Sequence, residues 1–416
     1  MHQIFFENVR CFSSRQVVPL APLTILVGEN SSGKSTALAL IRLAWEMAME
    51  LRTPNFNQEP FLLGAYDQII SDGKKGGKRR LLIGLEVKLP DGERLTVTGE
   101  CVAKHGQPAL TKLIWDFPCH QLVAEFEQDK GLAPLSLARL SVQGPSGRRT
   151  QVERKFTGDL KAFLKFVLRE FGGSVGEELT DYLVNLFGQL GERPFAFAPI
   201  RTRPSRTYDP IKALDNPEGS HVPMFLASTT LRESSEWKDV IVALDDFGRQ
   251  SGLFEDIEVR RLGQSESDPF QIRVHVGGNI VNVIDVGYGV SQVLPIVVDS
   301  LRGERGGTFL LQQPEVHLHP KAQAELGSFL GALAKRQEKQ FVIETHSDYL
   351  VDRIRMDIRD NRHGLKPEDV SLLYFERRNG EAQIHRLELD GHGNIINAPL
   401  GYRNFFLEEE RRFLGG

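Results

Sequence analysis

The chain has 416 residues, 40% hydrophobic and 25% charged, which is globular composition with enough apolar material for a sizeable core. Its 51 basic and 55 acidic side chains give a net charge of -4, which excludes a strongly basic, histone-like binder and confines any nucleic-acid contact to a local patch. Cys11, Cys101 and Cys119 are too scattered for a disulfide framework or a zinc knuckle and are read as buried fillers. Neither a signal peptide nor a long apolar run is present, so a cytoplasmic protein with no membrane contact is expected.

In chain order, a short strand at Ile4 to Phe6 leads to a buried strand at Leu23 to Val27. A glycine-rich loop follows at once, and Thr36 to Leu51 repeats its apolar residues at helical spacing. From Arg80 to about Leu140 the pattern alternates, with "RLLIGLEVKL" and "ERLTVTGECVA" separated by the turn "PDGE", which predicts antiparallel strands. Helices are predicted at Leu160 to Phe171, Glu177 to Leu190 and Trp237 to Phe247, a middle third too short for a long coiled-coil arm.

Beyond Ile280 strands and helices alternate: "NIVNVIDV", a helix from Ser291 to Leu301, "TFLL", a helix from Lys321 to Lys335, "FVIET", and a helix from Asp348. That alternation predicts an α/β fold whose mainly parallel sheet is flanked by helices, with an antiparallel β-lobe and a helical insertion. The expected division is residues 1–72 and 276–416 as the two halves of a core, 73–150 as the β-lobe, and 151–275 as the insertion and return.

Gly28-Glu29-Asn30-Ser31-Ser32-Gly33-Lys34-Ser35-Thr36 fits G-x-x-x-x-G-K-[ST] without a mismatch and sits between a strand and a helix. The glycines let backbone N–H groups turn toward phosphate oxygens, Lys34 reaches the β- and γ-phosphates, and the Ser35 hydroxyl is placed to ligate magnesium. "DVGYGVSQVLP" sets Gly287 and Gly289 at the mouth of another helix, a second anion-facing element in a chain that already has a phosphate loop. His317 and His319 read alternatively as a zinc pair, for which no cysteine lies nearby in sequence.

The order of these pieces, with "QPEVHLHPKAQAEL", "ETHSDYL", "VGYGVSQVLP" and the tail "NAPLGYRNFFLEE", resembles ATP-binding-cassette (ABC) type P-loop NTPases of the RecF, SMC, Rad50 and OLD branch. Within it the resemblance is to bacterial OLD-like AAA-type ATPases with a C-terminal domain of unknown function. It covers about residues 1–50 and 280–416. It implies ATP and Mg2+ sandwiched between two heads, the P-loop of one copy facing the signature of the other. Carried over, Gly287, Tyr288, Gly289, Ser291 and Gln292 form the signature, His317 to Pro320 including His319 the D-loop, and His346 the switch histidine.

Against the family's D-E-P pattern, "LLQQPE" puts Gln312 where the magnesium-associated acid belongs and Gln313 at the general base. An amide keeps the size of a carboxylate without its charge or basicity. ATP binding is therefore expected to outlast hydrolysis, Glu315 is the nearest acid left to orient water or hold the D-loop, and Gln312→Glu is expected to raise turnover. Full OLD nucleases append a Toprim domain, for which the 70 residues after His346 are too few, so an effector such as a nuclease or toxin is expected on a separate chain, in phage defence or DNA maintenance. Alternatives are a nucleotide-gated scaffold with negligible turnover, which Gln312 favours, or the ATPase subunit of a transporter. The basic stretches "GKKGGKRR" (Gly73 to Arg80) and "RTRPSR" (Arg201 to Arg206) offer phosphate contacts to a nucleic acid, or a solvated loop and a nucleotide-side role respectively.

Overall fold

The computed structural model describes residues 1–71, 80–89, 92–127, 136–147, 149–211, 214–229, 235–265, 267–399, 401–402 and 411–412. Most of "GKKGGKRR" and most of the tail motif therefore lie outside the described residues.

Strands β1 (Gln3–Glu7) and β2 (Gln16–Pro19) precede β3 (Leu23–Gly28), which delivers the phosphate loop to α1 (Lys34–Glu50). A small hairpin, β4 (Asn57–Gln58) and β5 (Phe61–Leu62), and the single turn α2 (Tyr66–Ile69) follow. The alternating region forms β6 (Arg80–Lys88), β7 (Arg94–Lys104), β8 (Gln107–Asp116), β9 (Gln121–Glu127), β10 (Ser136–Gln143) and β11 (Arg149–Val152). Helices α3 (Leu160–Phe171) and α4 (Gly173–Leu190) lead to β12 (Phe195–Phe197), and then come α5 (Val222–Thr229) and α6 (Ser235–Ser251).

The remaining chain supplies β13 (Asp256–Arg261), β14 (Phe270–Val276), β15 (Asn279–Asn282), α7 (Tyr288–Arg302), β16 (Thr308–Gln312) and α8 (Pro320–Arg336). It ends with β17 (Gln340–Glu344), α9 (Asp348–Arg359), β18 (Val370–Arg378) and β19 (Glu381–Leu387).

One sheet runs β12-β16-β17-β3-β18-β19, with its first five strands parallel and β19 antiparallel. Both faces are covered, and the strand sequences show it with period-two alternation. Leu26, Leu310, Val342 and Leu373 point into the core shared with α1, whereas Ile25, Leu311, Ile343 and Leu372 point into the core shared with α7, α8 and α9.

The second sheet is antiparallel, in the order β11-β10-β9-β8-β7-β6-β1-β2. It therefore incorporates the first two strands of the chain as well as the alternating region. Helix α1 is buried between the two sheets, and Gly99 of β7 leaves room for it: a Cβ there would stand 2.6 Å from the Met47 sulfur. Trp115 of β8 stacks on Phe163 of α3 at 5.6 Å, which joins α3 to the same core.

Two expectations change. "NIVNVIDV" is not a strand of the parallel sheet: β15 ends at Asn282, a short 3-10 turn spans Val283–Asp285, and β13-β14-β15 form a separate antiparallel sheet. Gly277 and Gly278, at φ 58° and 75°, make the tight turn between β14 and β15 that such a hairpin requires. The cysteines are also not all buried fillers, since only Cys101 is buried while Cys11 is half-buried and Cys119 exposed. No described helix is long and apolar enough to cross a membrane.

Candidate functional site

The phosphate loop leaves β3 at the carboxyl edge of the parallel sheet, where strand ends from several elements converge. Gly28, at φ 138°, passes so close to β18 that a Cβ would meet the Phe375 carbonyl oxygen at 2.2 Å. Gly33, at φ 100°, packs against Phe12 and Cys11. Both glycines are thus required by backbone shape and by close approach.

Lys34 is buried, and its Nζ donates to the Gly28 and Glu29 carbonyls at 2.8 and 2.7 Å, so the ammonium is held inside the curl of the loop. Burial lowers its pKa, while Glu344, Glu315 and Glu29 pull the other way. A concavity of about 420 Å³ opens over the loop, lined by Arg10, Cys11, residues 31–36, Glu344 and Arg377. Arg10 donates to Thr36 Oγ1 at 3.3 Å and to the Leu63 carbonyl at 3.0 Å, and Arg377 donates to the Ser31 carbonyl at 3.3 Å. Two guanidinium groups from outside the motif therefore flank the loop, a charge arrangement suited to a polyphosphate.

Ser35 faces a carboxylate to which the sequence reading gave no role, although the strand that carries it was expected. Its Oγ lies 2.8 and 2.7 Å from the two oxygens of Glu344, at the end of β17. Gln312 ends β16 and is the register partner of Glu344 in the parallel ladder. The Gln312 amide also hydrogen-bonds Glu344, yet its Oε1 is buried without a partner among the described residues. Burial raises the Glu344 pKa, and the Ser35 hydroxyl, Lys34 and the Gln312 amide oppose that rise. A hydroxyl and a carboxylate beside a lysine, with an unpartnered amide oxygen next to them, form a hard-oxygen donor set of the kind magnesium takes. Ser35 and Glu344 would hold it, with Gln312 beside them.

Glu315 is also buried. Its Oε1 accepts the His346 backbone N–H at 2.8 Å and its carbonyl accepts the Leu318 N–H at 3.0 Å, so it ties the turn before α8 to the segment after β17. Burial raises its pKa, against hydrogen bonds from the His346 N–H, its own N–H and the Thr345 hydroxyl and against the positive charge of Arg201. Gln313 is half-buried in the left-handed region at φ 44°, with its N–H bound to the Glu344 carbonyl at 2.8 Å. The His346 side chain is exposed at the mouth of the site.

The signature segment divides into two faces. Gly287 and Tyr288 are exposed, with the tyrosine ring edge-on to His317 at 5.0 Å. Gly289 is buried against the D-loop, and a Cβ there would lie 2.8 Å from the His317 carbonyl oxygen, so it serves the chain's own packing and not an open phosphate face. Ser291 donates to the Tyr288 carbonyl at 2.8 Å. Gln292 is buried, its Oε1 accepting the Arg201 N–H at 3.1 Å and its Nε2 donating to the Arg201 carbonyl at 3.3 Å. Burial and these inward bonds turn the Gln292 amide toward the chain's own interior.

His319 accepts the Lys321 N–H at 3.3 Å and caps α8. Among the described residues no group of three or more His, Cys, Asp or Glu side chains is placed to hold a metal, which leaves the His317–His319 zinc reading without further ligands. The "RTRPSR" stretch is resolved residue by residue: Arg201 is buried and donates to the Gln292 and Gln312 carbonyls at 3.1 and 3.4 Å, whereas Arg206 is exposed and pairs with Asp285.

Residues 212–351 match the AAA ATPase domain family, a stretch that holds α7, β16, α8 and β17 while the glycine-rich loop at 28–36 precedes it. Over 392 residues the chain is 23% identical to the OLD nuclease of Thermus scotoductus, an alignment covering 88% of this chain and 64% of that protein's length. Among solved structures, an SMC head bound to the C-winged helix domain of ScpA aligns at 12% identity and a TM-score of 0.44, covering 94% of this chain and 98% of that one. The SMC head domain from Thermotoga maritima aligns at 12% identity and a TM-score of 0.41, covering 93% and 98%.

Proposed function

We propose that this OLD-like, ABC-type ATPase closes two copies head to head around ATP and magnesium and passes nucleotide occupancy to a separate partner protein. The observation that carries the reading is the loop at 28–36, whose buried lysine and metal-facing hydroxyl meet a carboxylate at the carboxyl edge of a parallel sheet. Lys34, Arg10 and Arg377 bind and orient the phosphates. Ser35 and Glu344 would hold magnesium, which would supply neutralisation of the phosphate charge. Gln313 offers no base, so Glu315 and His346 are the groups left to orient the attacking water, and slow turnover is expected.

Glu344 weakens the case for a scaffold with negligible turnover, because a carboxylate faces Ser35 even though Gln312 does not supply it. The partner is expected to act in phage defence or DNA maintenance, by analogy with the OLD-like family that the motifs resemble.

Closure is tested at Gly287, where an added Cβ meets nothing within 4 Å, and not at Gly289, where aspartate would strike the chain's own D-loop. Light scattering should show wild type doubling in mass with ATP and magnesium. Gly287→Asp should stay monomeric with ATP bound, because its charge would oppose the γ-phosphate of the other copy. Identical assembly with and without nucleotide would make the protein a constitutive oligomer and end this reading.

A further inference from the structure

We propose that the magnesium-associated acid of this ATPase stands on β17, as Glu344, with the neutral Gln312 beside it at the end of β16. The inference rests on the phosphate-loop reading above and specifies which residues complete its metal site.

Three observations converge. Gln312 and Glu344 are register partners, so their strands end at the same level and either position presents its side chain to the same spot above the sheet. The Ser35 hydroxyl, which the loop aims at the metal position, lies within 2.8 Å of both Glu344 oxygens. A serine oxygen can keep this proton donation to the carboxylate while its lone pair faces a cation, which makes the pair a unit.

The third observation is the identity of residue 312. A second carboxylate beside Glu344 would bury two like charges against each other with Lys34 as the nearby cation. An amide of the same size instead hydrogen-bonds Glu344 and leaves its buried Oε1 unpartnered among the described residues. Gln312 is therefore a neutral hydrogen-bonding complement to the carboxylate at 344. This reverses the expectation drawn from the strand alone: Gln312→Glu by itself adds repulsion and should not raise turnover.

The test compares ATP affinity with excess magnesium and with EDTA, by calorimetry on the full chain, and uses the ratio within each variant. Wild type should bind more tightly with magnesium. Glu344→Gln should shrink that ratio by about 10–100-fold, the usual cost of removing a group that orients a metal ligand. The exchange variant Gln312→Glu/Glu344→Gln should recover most of it. Electron paramagnetic resonance of manganese in the ATP complex gives a second readout, with Glu344→Gln releasing the ion at lower competing chelator. Should Glu344→Gln fail to fold, Glu344→Asp keeps the charge but withdraws it by one methylene and should give an intermediate ratio. A wild-type ratio in Glu344→Gln, or in Glu344→Asp where that variant must stand in, overturns the assignment. A wild type that binds no ATP under either condition overturns the phosphate-loop reading itself.

Discussion

Lys34→Ala should abolish measurable ATP binding. The ammonium sits inside the loop, held by the Gly28 and Glu29 carbonyls, and no other lysine lines the concavity among the described residues. Each charge-assisted contact to a phosphate oxygen is worth about 1.5–3 kcal/mol, so losing two of them weakens binding by roughly a hundredfold or more. Arg10 and Arg377 remain at the rim and should retain only weak, salt-sensitive attraction. Calorimetry giving equal affinities for wild type and variant would contradict the role assigned to the loop.

Arg201→Met should destabilise the fold by about 3–5 kcal/mol, the usual range for removing one partner from a buried charged network. Burial pulls the Arg201 pKa down to about 10, and the negative charge of Glu315 opposes that shift. The side chain joins the Gln292 carbonyl of the signature helix to the Gln312 carbonyl of β16, and the backbone around it pairs with the Gln292 amide. Methionine fills much of the space but leaves those carbonyls and Glu315 uncompensated. Arg203 is exposed on the same segment, so Arg203→Met should change stability by no more than about 0.5 kcal/mol. Equal shifts of the urea midpoint in the two variants would sink the argument. The same side chain thus links α7 to the end of β16.

How far the sequence could be read depended on whether a constraint was local. The phosphate loop was legible because its demands are written in neighbouring residues: Gly28 and Gly33 mark backbone that passes too close to Phe375 and Phe12 for a side chain. The parallel strands were legible as short apolar runs between helices, and the antiparallel sheet as alternation, although nothing in the alternation revealed that β1 and β2 extend it. The hairpin at Gly277-Gly278 was missed although a Gly-Gly pair between two alternating runs is itself a turn signal. Glu344 was missed for a different reason. Its relation to Gln312 and Ser35 exists only across strand register, which residues neighbouring in sequence do not reveal. The available signal was a glutamate closing the apolar run "FVIE", where a buried strand ends at a polar edge. Arg10 and Arg377 likewise reach the site from remote parts of the chain that carry no motif.

Phosphate release from ATP, measured across a range of protein concentrations with excess magnesium, tests the central claim most directly. If two copies must close around the nucleotide, the rate per chain rises with protein concentration toward a plateau, and Lys34→Ala remains at background throughout. A rate per chain that is independent of concentration, or release by Lys34→Ala equal to wild type, would contradict the account.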